Sequence, residues 1–224
     1  MYRYLTFDCY GTLIDWRAGL ERAFAFSFGR LPIAGESLYQ AYVTEEASQE
    51  SSYKPYRSVL AETAVRLVNR LGVNAGDREG REFADSLPAW PAFADTVDSL
   101  RKLGEMGYKR YILSNVDEDL LRETIARNGL EIDGYVTAQE THSYKPAPGH
   151  WERFLVKTGA RVAEDLHVAQ STFHDIRPAH GLGFATAWVN RYDEPLALDF
   201  RPDYVCPGLS DLARVLSGDS RNGK

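Results

Sequence analysis

The stretch Tyr4-Leu5-Thr6-Phe7-Asp8-Cys9-Tyr10-Gly11-Thr12-Leu13-Ile14-Asp15 decides how this chain is read. A short apolar run ends in a carboxylate, and a Gly-Thr turn follows at once. That pattern predicts a buried strand delivering Asp8 to the carboxyl edge of a parallel sheet, where open α/β folds carry their chemistry.

Bulk properties bound what surrounds that strand. The 224 residues suffice for one good-sized domain, or for a domain with an insertion. Apolar content of 44% and charged content of 26% sit near the globular average, which predicts a sizeable core and argues against disorder. The net charge of −6 argues against nucleic acid or an anionic membrane as partner. An anionic small-molecule substrate would need local positive potential instead. Cys9 and Cys206 lie far apart and make no metal-type spacing, so a reducing cytoplasm is the expected compartment. The first strand starts at once, with no basic and then apolar leader, so no signal peptide is expected. No apolar run approaches the roughly 20 residues that span a bilayer.

Outward from Asp15 the texture changes twice. Over 16–87 the apolar residues fall at helical intervals: Leu20, Phe24 and Phe28; Leu38, Tyr42 and Val43; then Leu60, Ala64, Leu67, Val68 and Leu71, closed by Gly72 as a C′ residue. Pro88-Ala89-Trp90-Pro91 breaks helix and marks a boundary. Beyond it, a helix carrying Val97, Leu100, Leu103 and Met106 ends at Gly107, and strands are expected at 111–113, 135–137, 166–169, 184–189 and 204–206. Alternating helices and strands predict a mostly parallel sheet. The expected organisation is an α/β core formed by 1–15 and 88–224, with 16–87 as a helical cap inserted after the first strand. The polar tail 217–224 is expected to fray.

Four constellations carry chemistry if they stand at strand ends. They are Asp8 with Gly11-Thr12; Ser114-Asn115 after the 111–113 strand; Tyr144-Lys145-Pro146; and Gln170-Ser171-Thr172-Phe173-His174-Asp175 after the 166–169 strand. Asp117-Glu118-Asp119 forms a good first turn for a helix running to Asn128, with Gly129 ending it. Each constellation alone has an ordinary reading as a helix cap, a turn or a solvated loop. Cys9 reads as a small buried residue facing away from the site. His174 reads equally as a site residue or as a loop hydrogen bonder, and His142 and His180 as structural or exposed. Trp90 and Trp188 read as packing, and Trp16 stands at the junction where the insertion leaves the core. Glu45, Glu46 and Glu50 read as a solvated helix face.

Taken together and in order, the four constellations resemble the four-motif layout of the haloacid dehalogenase (HAD) superfamily, over nearly the whole chain. The resemblance implies a HAD-like Rossmannoid core with a C1-type cap. HAD phosphatases use a second acid two residues after the nucleophile as general acid, together with Mg²⁺ held by acidic residues. Here that position is Tyr10, which cannot do that proton work near neutral pH. The fourth motif offers Asp175 behind His174 rather than an acid pair. The Asp-x-Tyr-Gly-Thr-Leu form is similar to the metal-independent L-2-haloacid dehalogenase branch, for which no cofactor and no metal are expected.

That likeness implies that Asp8 displaces halide from a 2-haloalkanoate and that water then hydrolyses the aspartyl ester. It implies Ser114 and backbone N–H groups after Asp8 for the substrate carboxylate, Thr12 to brace the nucleophile, and Asn115 for the leaving halide. Lys145 would pair with Asp8, and Asp175 would position Lys145 or the hydrolytic water. Tyr10 would line the substrate site, and Tyr56, with Tyr53 near it, would shield the halide. Several positions depart from the branch. Gln40 stands where a halide-binding arginine is expected, with Arg57 or Lys54 as nearby substitutes. Trp151 replaces an active-site tyrosine, and Gln170 and Thr172 replace a Ser and an Asn, beside His174. The alternatives are a Mg²⁺-dependent phosphatase acting on a small phosphate ester, or a related protein that binds a small carboxylate with altered or lost dehalogenase activity. An aromatic-rich cap also leaves a homodimer open.

Overall fold

Among the described residues six short strands form one fully parallel sheet, as the spacing of apolar runs and helices requires. In the computed structural model, which describes residues 2–49 and 52–218, β1 is Tyr4–Phe7. A helical insertion follows it: α1 (Trp16–Phe28), α2 (Gly35–Ala47), α3 (Tyr56–Arg70) and α4 (Asp77–Asp85). The chain then alternates through α5 (Thr96–Glu105), β2 (Lys109–Ser114), α6 (Glu118–Asn128), β3 (Gly134–Thr137), the short α7 (Ala138–Thr141) and α8 (Gly149–Thr158). It closes with β4 (Asp165–Ala169), α9 (Arg177–Gly181), β5 (Ala185–Val189), β6 (Tyr204–Cys206) and α10 (Leu209–Leu216). Glu50 and residues 219–224 lie outside the described residues.

The strand order β3-β2-β1-β4-β5-β6 reverses at β1, so the carboxyl end of β1 opens at the switch point of the sheet. The period of two divides its side chains between the faces. Leu5, Phe7 and Cys9 join Leu166 and Val168 in a core that takes in Leu100 and Leu103 of α5 and Leu209 and Leu212 of α10. Tyr4 belongs to a second cluster, with Trp151 and Phe154 of α8 and Ala179 of α9. The register sets Tyr4 level with Asp165 and Thr6 level with His167. Thr6 and Asp8 therefore share one face with a polar pair on β4.

Helix ends follow their sequence signals. Asp15 caps α1 by accepting from the Ala18 N–H at 3.0 Å. Gly72, Gly107 and Gly129 hold positive φ directly after α3, α5 and α6. The inserted helices pack around Trp16, Phe24, Tyr42, Phe83 and Trp90, all buried. Gly19 is required there, because a Cβ on it would lie 2.4 Å from the Trp90 ring. The helix α4 was not legible in the sequence: DREGREFAD is mostly charge, and it buries Phe83 and Ala84 only because α3 lies alongside.

One carboxylate ties the insertion to the sheet's carboxyl edge. Asp117, just past β2, accepts from the backbone N–H of Tyr56 at 3.0 Å and of Arg57 at 2.9 Å. It thus satisfies orphan donors at the start of α3 from another part of the chain. Asp117→Ala is expected to lower stability by about 1–2 kcal/mol, the scale of a lost helix cap. Urea unfolding of the two proteins measures this.

Candidate active site

The carboxyl end of β1 delivers Asp8 into a buried ion cluster. The Lys145 ammonium is 1% exposed, which makes its partners decisive. Its three N–H donors reach Asp8 Oδ1 at 2.9 Å, Asp175 Oδ1 at 2.6 Å and the Leu113 carbonyl at 2.8 Å. The second oxygen of Asp8 accepts from Thr12 Oγ1 at 2.8 Å, and Thr12 in turn accepts from the Gln170 N–H at 2.9 Å. Burial would lower the Lys145 pKa, but Asp175 and Asp8 outweigh it and raise it above the ordinary lysine value. Burial pushes Asp8 up, against the pull of Lys145 and Thr12. Burial would also raise Asp175, yet Lys145 and His167 hold it well below the usual carboxylate range. Asp175 therefore stays ionised, and its Oδ2 carries no hydrogen bond among the described residues.

Asn115, directly after β2, fixes the lysine. Its Oδ1 accepts from the Lys145 N–H at 2.7 Å and its Nδ2 donates to the Lys145 carbonyl at 3.0 Å. One N–H of the amide is thus committed to the loop. Ser114 is buried at the strand end, and its carbonyl lies 3.1 Å from His150 Nε2. Tyr10 packs edge-on against Trp16, and its hydroxyl lies 2.8 Å from Thr124 Oγ1. Thr124 spends its own proton on the Leu120 carbonyl, so Tyr10 is the donor. Burial lifts Tyr10 well above the ordinary tyrosine pKa, which keeps it neutral.

These groups open into a cavity of about 390 Å³ between the strand ends and the inserted helices. Asp8, Tyr10, Ser114, Asn115, Tyr56, Lys145, His174 and Asp175 all line it, so most of the residues singled out in the sequence meet in one place. Burial holds His174 below the ordinary histidine pKa, and its Nδ1 lies 3.3 Å from Ser171 Oγ.

Several expected contacts are not made. Gln40 is exposed on α2 and donates to Glu36 at 2.7 Å. Helical spacing instead turns Tyr39, Val43 and Glu46 to the cavity. Trp151 is fully buried in α8, edge-on to His167 at 5.2 Å, and lies behind the site rather than in it. Thr172 opens a wide π-type turn over Thr172–Ile176, and its neighbours Ser171, Phe173 and His174 line the cavity in its stead. Tyr53 packs on His142 and Tyr144 outside the cavity. Arg57 pairs with Asp85 and Asp119, and Lys54 with Glu62, so neither supplies the missing arginine.

Two charged residues were missed. Arg17, on the first turn of α1, lines the cavity with its guanidinium between the rings of Tyr39 and Tyr192, at 4.3 and 3.8 Å. It is paired with Glu36, and with Glu194 at 3.5 Å. Glu46 is no solvated helix residue: it lines the cavity and accepts from the Tyr56 hydroxyl at 2.8 Å. Burial, opposed by hydrogen bonds from Tyr56 and Tyr42, pushes its pKa up to about 7. The i, i+3, i+4 spacing of Tyr39, Tyr42, Val43 and Glu46 held the signal, but the sequence does not say which α2 face meets the site.

The donor set does not fit a divalent cation. Both Oδ1 atoms of the carboxylate pair are taken by Lys145, Asp8 Oδ2 by Thr12, and the second-acid position by a neutral phenol. Among the described residues no three His, Cys, Asp or Glu gather as metal ligands would.

Sequence comparison matches residues 2–183 to the model of the haloacid dehalogenase-like hydrolases. The (S)-2-haloacid dehalogenase of Xanthobacter autotrophicus is 26% identical, over 97% of this chain and 96% of its own. The (S)-2-haloacid dehalogenase 4A of Burkholderia cepacia is 26% identical, over 96% and 95%. The solved structure of L-2-haloacid dehalogenase from Xanthobacter autotrophicus superposes with a TM-score of 0.85 at 24% identity, covering 97% of this chain and 99% of that one. With a buried strand-end aspartate clamped by a motif lysine and a family match over residues 2–183, the chain belongs to the haloacid dehalogenase-like hydrolases.

Proposed function

We propose that this hydrolase cleaves the carbon–halogen bond of a short 2-haloalkanoic acid, without a metal, through an ester on Asp8. The observation that carries the reading is the pairing of a buried, lysine-clamped Asp8 with a neutral Tyr10 where a phosphatase needs its acid. Halide is a weak base and leaves without a proton, so a phenol there costs nothing; an alkoxide leaving from phosphate would need that proton. Both relatives compared above are named for this chemistry, which supports the substrate class.

Asp8 attacks the halogen-bearing carbon, the carbon–halogen bond breaks, and halide departs toward the aromatic wall of Tyr10, Trp16 and Tyr56. Burial strips water from the carboxylate and sharpens it as a nucleophile. Lys145 offsets repulsion between Asp8 and the incoming substrate carboxylate, which Ser114 receives. Water then attacks the ester carbonyl, giving its proton to Asp175 Oδ2, the oxygen with no other partner. Collapse of the tetrahedral species, with Asp175 returning its proton to the departing alkoxide oxygen, frees the 2-hydroxy acid, and loss of the second water proton to solvent restores the Asp8 carboxylate. Lys145, relieved of Asp8 while the ester stands, keeps Asp175 ionised for that step.

Wild-type protein is expected to release halide from 2-chloropropionate equally with and without EDTA, and Asp8→Asn to lower the rate by more than roughly a thousandfold. EDTA-sensitive phosphate release with no halide release would contradict the reading, and halide release from no short 2-haloacid would mark a carboxylate binder.

Glu46 adds a pH signature. Below about 7 it is neutral, and above that it puts a negative charge beside an anionic substrate. KM for 2-chloropropionate is therefore expected to rise as pH passes through about 7, and Glu46→Gln to flatten that rise. Initial-rate measurements across pH in both proteins check it.

A further inference from the structure

Behind the ion cluster, a chain of buried polar groups runs along one face of the sheet and does not touch the cavity. Asp175 Oδ1 lies 3.0 Å from His167 Nε2; His167 Nδ1 lies 2.9 Å from Thr6 Oγ1; and Thr6 Oγ1 lies 2.6 Å from Asp165 Oδ2. Thr6, Asp165 and His167 have no exposed surface. Buried polar residues on two central strands are costly unless paired, and here the pairing is continuous up to Lys145 and Asp8, although Asp165 Oδ1 has no hydrogen-bond partner among the described residues.

Counting hydrogens limits the network to a few states. The Thr6 hydroxyl has one proton and two neighbours, so it donates to one and accepts from the other. If it donates to His167 Nδ1, Asp165 must be the protonated donor, and the imidazole is neutral with its proton on Nε2. If it donates to Asp165, His167 must carry a proton on Nδ1. Its Nε2 then either carries one as well, making an imidazolium, or accepts from a protonated Asp175. All three arrangements hold the same single extra proton, differing only in where it sits.

We propose that Asp165, Thr6 and His167 form a buried relay that moves one proton toward Asp175 when Asp8 is ionised and back to Asp165 when Asp8 is esterified. The shift balances: the Asp165 O–H breaks, the Thr6 proton passes on, and an N–H forms on His167, leaving a carboxylate and an imidazolium. With Asp8 ionised, the cluster of Asp8, Asp175 and Lys145 carries one net negative charge and draws the proton in. With Asp8 esterified that charge is gone, the proton returns, and Asp175 faces a neutral imidazole, which makes it the better base for water. Burial pushes Asp165 up to about 7 and His167 below its ordinary value, while the charges of Asp175 and Asp8 pull His167 back up. Facing His167 are Asp175, Lys145, Asp8 and, from α8, His150, which burial holds neutral at about 3. His167, Thr6 and Asp165 act through Asp175 and are positioning residues. Their part in turnover rests on the ester reading above; the proton shift itself does not.

The test is ¹⁵N NMR of histidine-labelled protein, with Asp8→Asn as the neutral stand-in for the ester. The His167 ring is expected to show more imidazolium character in wild type than in Asp8→Asn. Asp165→Asn can still donate to Thr6 but has no proton to give, so its ring is expected to be neutral with or without the Asp8 charge. Thr6→Val is expected to abolish the response and Thr6→Ser to keep it. Identical His167 shifts in wild type and Asp8→Asn would overturn the relay, and so would a Thr6→Val protein that keeps the full response. A wild type that releases no halide would overturn the ester reading alone, because the ring shifts still decide the relay.

Discussion

The site depends on one ammonium group. Lys145 spends its three donors on Asp8, Asp175 and the Leu113 carbonyl, so one side chain ties the ends of β1 and β2 to the turn after β4. Two carboxylates in one dry pocket would otherwise force one to take a proton. With the lysine between them, both oxygen pairs are oriented and Asp175 stays charged. Removing either partner would leave an uncompensated buried charge, which is far costlier than losing a surface ion pair. The same constraint explains why Asn115 is committed to the backbone of Lys145: the loop that carries the ammonium has to be pinned before its side chain can be aimed.

Around that core the cavity balances charge differently from a simple anion site. Arg17 is a cation in the wall, but Glu36 and Glu194 already accompany it, and two aromatic rings sandwich it. Glu46 adds an acid that burial keeps close to half-protonated at neutral pH. Both cations of the wall, Arg17 and Lys145, therefore already have carboxylate partners. The aromatic wall supplies exclusion of water rather than charge.

The sheet and the site were legible to different degrees. Every expected strand is present, because each is a short apolar run bounded by turn signals; the run at 184–189 merely starts one residue later, at Ala185. Asp8, Lys145 and Asp175 could be picked out because strand-end positions on a parallel sheet converge wherever the connections are short. The inserted helices could be placed but not oriented. Gln40 and Tyr39 differ by one residue, about 100° of helix, and nothing local says which of them faces the sheet. Trp151 failed as a site residue for a similar reason: a large apolar ring in a helix behind the sheet is taken by the core first. The polar stripe of Thr6, Asp165 and His167 was not singled out in the sequence, where it is only a short alternation in TFD and DLH. Its meaning required the register between β1 and β4, which no single strand contains.

Asp8 is proposed to act as the nucleophile of a two-step hydrolysis and to pass its own oxygen to the product. A single turnover of 2-chloropropionate by excess protein in ¹⁸O-water, with mass analysis of the peptide bearing Asp8 and of the product, tests it most directly. The heavy oxygen is expected to enter the Asp8 carboxylate, and the first 2-hydroxy acid released is expected to be unlabelled. Label in the product during the first turnover, with none in Asp8, would contradict it.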